Sequence, residues 1–176
     1  MIHDTQLLHR LSQIRLVILD VDGVLTDGGI YLGATEEFKR FDVQDGAGVV
    51  FLLRAGLDVV VITGRESASV ERRCKELNIT ELHQGVSNKK KVFEDVLARR
   101  KKSLAQTAVM GDDLVDLPLM MKAGISAAPA NATREVRVRS SIVTHAGGGA
   151  GAVREFAELI LKAQDKWHDI LEDYLE

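Results

Sequence analysis

Cysteine is almost absent from this sequence: Cys74 stands alone among 176 residues. An internal disulfide is therefore excluded, and a reducing cytoplasm is the simplest compartment. Cys74 sits in a helical pattern with no activating neighbour, which points to a structural role. Positive charge is not in excess either. A net charge of -3 gives no reason to expect nucleic acid or an anionic membrane as a partner. No apolar run approaches the roughly 18 to 20 residues of a membrane span. The opening "MIHDTQLLHRLSQ" lacks the basic region and apolar core of a signal peptide and reads as a short amphipathic helix. Long repeats and low-complexity tracts are missing as well. What remains is an ordinary globular composition, 45% hydrophobic and 28% charged, of a length that suits one domain over 1–176.

Short runs rich in Val, Ile and Leu recur along the chain: "RLVILD" (15–20), "LDVVVIT" (57–63), "ITELHQG" (79–85), "TAVMGD" (107–112) and a weaker "SSIVTH" (140–145). Apolar on both faces, they suit strands of a parallel sheet covered by helices on each side. Helical periods fill 46–55, 66–77, 89–101, 114–123 and 132–138, and one long apolar stripe predicts a last helix over 152–174. This alternation specifies an α/β fold with a doubly wound, mostly parallel sheet. One segment departs from it. Residues 28–43 read as a β-hairpin flap, with Ile30 to Leu32, a Gly33-Ala34-Thr35 turn, and a second strand from Glu37 to Val43. Its Ile30, Tyr31, Phe38 and Phe41 need a surface to cover. The basic run "ARRKKS" (98–103) reads as a solvated helix end.

The first strand ends in "DVDG", and ligands of open parallel sheets bind beyond the carboxyl ends of strands. By that rule four groups converge. Asp20 and Asp22 follow the first strand, and Thr63-Gly64-Arg65 the second. Lys89 lies past the third, and Gly111-Asp112-Asp113 follows the fourth. Four carboxylates so close together repel one another and demand a cation, for which Mg²⁺ is the natural choice among hard ions. Each fragment alone is commonplace in turns and helix starts. Together, at successive strand ends, they describe a pocket that binds a phosphorylated ligand or transfers a phosphoryl group, with an Asp as nucleophile and a second carboxylate as acid and base. Thr63 and Lys89 then serve the phosphoryl oxygens. Neither His83 nor His145, near strand ends, belongs to a metal cluster.

These motifs resemble the haloacid dehalogenase superfamily of aspartate-nucleophile phosphatases: "DVDGVLTDG", "ITGR", the lysine of "QGVSNK", and "GDDLVD". Longer stretches, including "EEFKRFDVQDGAGV" and "VVITGRESASVERRCKELNI", are similar to its branch of sugar-acid phosphatases, which acts on an eight-carbon 8-phosphate in lipopolysaccharide precursor synthesis. The resemblance implies Asp20 as nucleophile and Asp22 as acid/base. It implies Mg²⁺ held by Asp20, the Asp22 backbone carbonyl and Asp112, and phosphoryl binding by Thr63 and Lys89. It further implies substrate contacts from Asp42, Val43, Gln44, Asp45, Gly46, Gly64, Arg65 and Arg73. Gln44 and Ala150 stand where arginine is frequent in the family, and Asn88 where an acidic residue is. The gaps between motifs leave no room for a cap domain, so water must be excluded by other means. The resemblance implies a homotetramer in which hairpins cluster and neighbouring chains close each site. A related branch works on a nine-carbon sugar acid phosphate, and Arg65 leans toward the shorter sugar. A regulatory domain without catalysis is the other alternative, which the intact Asp20, Asp22, Lys89 and Asp112 argue against.

Overall fold

The computed structural model describes residues 4–34 and 37–175. In chain order these form α1 (Thr5–Ser12), β1 (Leu16–Leu19), β2 (Tyr31–Leu32), β3 (Glu37–Phe38), α2 (Val43–Arg54), β4 (Asp58–Ile62), α3 (Ala68–Glu76) and β5 (Glu81–His83). Then come α4 (Lys89–Arg100), β6 (Thr107–Met110), α5 (Leu117–Met120), β7 (Ile125–Ala128), α6 (Arg134–Arg137), β8 (Ile142–Val143), α7 (Ala152–Ala163) and α8 (Trp167–Glu172). Six strands make one parallel sheet in the order β5-β4-β1-β6-β7-β8, while β2 and β3 pair as a separate antiparallel hairpin.

Successive side chains of a strand face opposite ways, and here both faces are dry. Val17, Leu19, Val59 and Val61 pack beneath α1, α2, α3 and α7 with Phe51, Cys74 and Phe156. Leu16, Ile18, Val60 and Ile62 pack against α4, α5 and α6 with Phe93, Val96 and Val136. This two-sided burial produces the continuous apolar runs seen in the sequence. It also places the carboxyl ends of β1, β4 and β6 side by side, in register through Leu19, Val61 and Met110.

The expected elements differ from the observed ones in four places. The second hairpin strand ends at Phe38 instead of Val43, because Asp42 caps α2 by accepting hydrogen bonds from the Gln44 and Asp45 amides at 2.7 and 3.2 Å. Phe41 consequently packs on the core, whereas Ile30, Tyr31, Leu32 and Phe38 are exposed. Thr35 of the expected turn, like Met1 to His3 of the first helix, lies outside the described residues. Strand β7 was not expected: "ISAA" has little β-branched character, yet it is fully buried between β6 and β8. The expected 114–123 helix is a 3₁₀ turn, Leu114–Asp116, running into the short α5. Finally, the 152–174 helix breaks at Asp165, whose φ of 56° is left-handed. Residues after Lys166 fold back so that Trp167 and Tyr174 each meet the Phe51 ring edge-on at 5.9 Å.

Candidate active site

Each motif reaches the sheet's carboxyl edge by a local device. Asp20 extends the ladder, its amide donating to Met110 O at 3.1 Å. The Asp22-Gly23 turn that follows needs glycine: Gly23 has φ 85°, and a Cβ there would lie 2.0 Å from Asp112 Oδ2. Thr63 is buried at the end of β4, its amide held by His83 O. Lys89 opens α4, whose N-cap is Asn88, accepting from the Lys91 amide at 3.0 Å. Asn88 thus has a local use in helix initiation. After β6, Asp113 caps the 3₁₀ turn and Asp116 closes it, accepting from the Asp112 and Asp113 amides at 3.1 and 3.4 Å.

The result is a cleft of about 290 Å³. Asp20, Asp22, Thr63, Gly64, Arg65 and Lys89 line it, joined by Asp112, Asp113, Gly28 and Val115. At its floor the Lys89 ammonium lies 2.8 Å from Asp20 Oδ1 and 2.7 Å from Asp116 Oδ1. Apart from this charge contact, the buried Asp20 Oδ1 has no hydrogen-bond partner among the described residues. Asp20, Asp112 and Asp116 each present one oxygen, all within 4.8 Å of one another. Burial, with the Asp116 charge, raises the Asp20 pKa to about 6 despite Lys89. Burial, then Asp20, Asp116 and Asp113, raise that of Asp112 to about 7. Lys89 is held above the usual lysine value: burial opposes its charge, but the two carboxylates outweigh it. The floor is thus short of positive charge even with Lys89 in place. Asp116 is committed to Lys89 and two amides, so Asp20 and Asp112 are the carboxylates left to hold a divalent cation, a donor set that fits Mg²⁺.

Not every residue named from the sequence reaches this cleft. Asp42, the Val43 and Gln44 side chains, Asp45 and Gly46 belong to the first turns of α2. Asp45 is buried and turned away, accepting from the Gly151 and Arg154 amides at 3.1 and 2.9 Å to fasten the start of α7. Arg73 donates to Asp42 O at 3.1 Å, stacks over the Phe41 ring, and lines a separate groove beside the hairpin with Val43, Ser69 and Arg72. Ala150 likewise is absent from the cleft wall, in the turn before α7. Conversely, Gly28 and Val115 of the cleft wall, and Asp116 and Lys39 behind it, were not singled out in the sequence. Asp116 was legible in principle as the last carboxylate of "GDDLVD", where a turn brings it back over Asp112. Lys39 carried no such signal; its buried ammonium contacts Asp22 at 2.5 Å.

Several other charged and reactive groups singled out in the sequence have local surroundings that account for them. His83 pairs with Glu81 and His145 with Glu155. The basic run is tied down more than expected, Arg100 bridging Glu81 at 2.6 Å and Asp58 at 2.8 Å. Cys74 is buried, which pushes its thiol up to about 11 and keeps it unreactive.

A family model of haloacid dehalogenase-like hydrolases matches residues 75–153, which include Lys89, Asp112 and Asp116. The 3-deoxy-D-manno-octulosonate 8-phosphate phosphatase of Salmonella typhi is 47% identical over 92% of this chain and 87% of its own length. The crystal structure of the Yersinia pestis enzyme of that name superposes with a TM-score of 0.90 at 44% identity, covering 92% of this chain and 88% of that one. A third, from Moraxella catarrhalis, was crystallised with magnesium, phosphate and a KDO molecule. It superposes with a TM-score of 0.95 at 38% identity over 98% of this chain and 99% of that one. The chain belongs to the haloacid dehalogenase-like hydrolases, in their family of 3-deoxy-D-manno-octulosonate 8-phosphate phosphatases.

Proposed function

We propose that this protein is an Mg²⁺-dependent phosphatase that hydrolyses 3-deoxy-D-manno-octulosonate 8-phosphate through an aspartyl-phosphate on Asp20. The observation that carries the reading is the floor of the cleft. There a lysine at the start of α4 bridges two buried carboxylates beside a third, the carboxylates following the adjacent strands β1 and β6. The likeness to enzymes of that name over nine-tenths of the chain supports the choice of sugar.

In the first step an Asp20 oxygen attacks phosphorus, the bond to the sugar oxygen breaks, and Asp22 protonates that oxygen. In the second, Asp22 takes a proton from water as it attacks the acyl phosphate, and Asp20 is released. Lys89 and the Thr63 hydroxyl donate to the phosphoryl oxygens, and Asp116 holds Lys89 in place. Asp20, Asp112 and the Asp22 carbonyl would hold the Mg²⁺, which supplies charge neutralisation at the phosphoryl group. Arg65, at the mouth, faces the sugar acid, and Arg73 and Val43, in the neighbouring groove, serve its far end. Residues 1–176 act as one phosphatase domain with the 28–43 hairpin as its flap. Four exposed apolar side chains on so small a hairpin support clustering of copies into a homotetramer that closes each cleft. No helix among the described residues is long and apolar enough to cross a membrane, and a cytoplasmic location agrees with the lone cysteine.

The test is phosphate release, with Mg²⁺, from the eight-carbon substrate and a nine-carbon sugar acid 9-phosphate side by side. Metal-dependent preference for the former, lost with EDTA, is expected. Equal rates or a preference for the longer sugar would move the substrate assignment.

A further inference from the structure

Lys39 is in an unusual position. It directly follows β3 of the exposed hairpin, yet its side chain has no exposed surface. The period of a strand explains how. Glu37 and Lys39 point to the face of the hairpin that looks into the molecule, while Phe38 between them is exposed. The Lys39 ammonium meets Asp22 Oδ1 at 2.5 Å and Glu37 Oε1 at 3.3 Å. Glu37 in turn binds Arg65, Oε2 to guanidinium, at 2.6 Å, and Arg65 Nε comes back to Asp22 Oδ2 at 3.9 Å. Asp22 is therefore gripped at one oxygen by the hairpin and approached at the other by the loop after β4. An ammonium removed from water completely needs carboxylates to offset its lost hydration. Here one of the two that do so is the group proposed to move the protons.

Resting on the phosphatase reading above, we propose that Lys39 is a positioning residue for Asp22, so that the flap orients the acid/base group as well as covering the cleft. Lys39 stands behind Asp22, in the wall shared with the groove lined by Phe41, Ser69 and Arg73, and does not itself face the reacting centre. It acts on the proton steps only through the Asp22 carboxylate: delivering a proton to the sugar oxygen as its bond to phosphorus breaks, and accepting one from water in the second step. The nucleophile, Lys89 and Thr63 are attached to different elements and keep their places without it.

The test uses the full-length protein with Mg²⁺, the Lys39→Met variant, and two substrates. The sugar phosphate leaves as an alkoxide and needs a proton; p-nitrophenyl phosphate leaves as a stable phenolate and does not. For the sugar phosphate, kcat is expected to fall about 100-fold with KM within about threefold, the scale of a misplaced acid/base group. With the aryl substrate, the variant should release a burst of about one p-nitrophenolate per active site. Slow turnover then follows, because only the second step still requires Asp22. The burst also shows that the variant is folded and its nucleophile competent. Wild-type kinetics in the variant would overturn the inference. So would equal losses on both substrates without a burst, which mark a role in folding alone. A wild-type chain silent on both substrates would overturn the phosphatase reading, and the inference with it.

Discussion

Replacing Lys89 with methionine tests the electrostatics of the cleft floor. Methionine keeps most of the aliphatic stem, so packing against Asp20 and Asp116 changes little and the lost quantity is the charge. In the wild type that charge sits 2.8 and 2.7 Å from two buried carboxylates. Stripping the partner from a buried ion pair costs about 3–5 kcal/mol, because the orphaned charge stays desolvated. In a chain of this size that corresponds to a fall in Tm of about 10 °C. The cost should depend on pH. Asp20 already titrates at about 6 with Lys89 beside it; without the lysine it holds its proton to still higher pH, and a protonated carboxyl needs no partner. Urea unfolding in EDTA should therefore show the full loss at pH 8.5 and about 1 kcal/mol or less at pH 5, with an unchanged m-value. Turnover should drop at least about 100-fold at either pH, since the phosphoryl oxygens lose a charged donor. Equal destabilisation at both pH values, or none, would refute the view that Lys89 offsets two ionised carboxylates.

Three further outcomes are expected. The folded-state pKa values of Asp20 and Asp112, about 6 and about 7, lie above the ordinary 3.8. The metal-free protein should therefore lose stability as pH rises from 4 to 7, and Mg²⁺ should restore more at pH 8 than at pH 5.5; melting curves with and without the ion check both signs. Gly23→Ala combines a left-handed backbone with a Cβ 2.0 Å from Asp112 Oδ2, and should weaken Mg²⁺ binding in calorimetry far more than it lowers Tm, because Asp112 must move. Phe156→Ala, in the fully buried α7 face, should cost about 3–5 kcal/mol of unfolding free energy while kcat per folded molecule stays unchanged; a large kcat effect would contradict the separation of core and cleft.

Much of this architecture was legible in the sequence because parallel strands buried on both faces leave unbroken apolar runs, as "LVIL" and "VVVI" do. β7 escaped because burial, not propensity, makes "ISAA" a strand. Likewise, only the left-handed Asp165 interrupts an apolar stripe that periodicity alone would continue. The cleft residues at strand ends were readable since topology decides where they go. Asp45 was not: its carboxylate is turned by the Gly151 and Arg154 amides, a contact across 106 residues of chain that no local pattern records. Lys39 was hidden for a related reason. A lysine in a hairpin reads as solvated, and only the folding of the flap onto the cleft brings it to Asp22.

The central claim is that Asp20 carries the phosphoryl group. Mixing the enzyme with substrate and Mg²⁺, quenching, and reducing with borohydride converts an aspartyl-phosphate to homoserine, which peptide mass spectrometry locates. The account predicts that conversion in the peptide holding Asp20, and its absence from Asp20→Asn along with turnover. Conversion at a different carboxylate, or an Asp20→Asn variant that still releases phosphate at a near-normal rate, would contradict it.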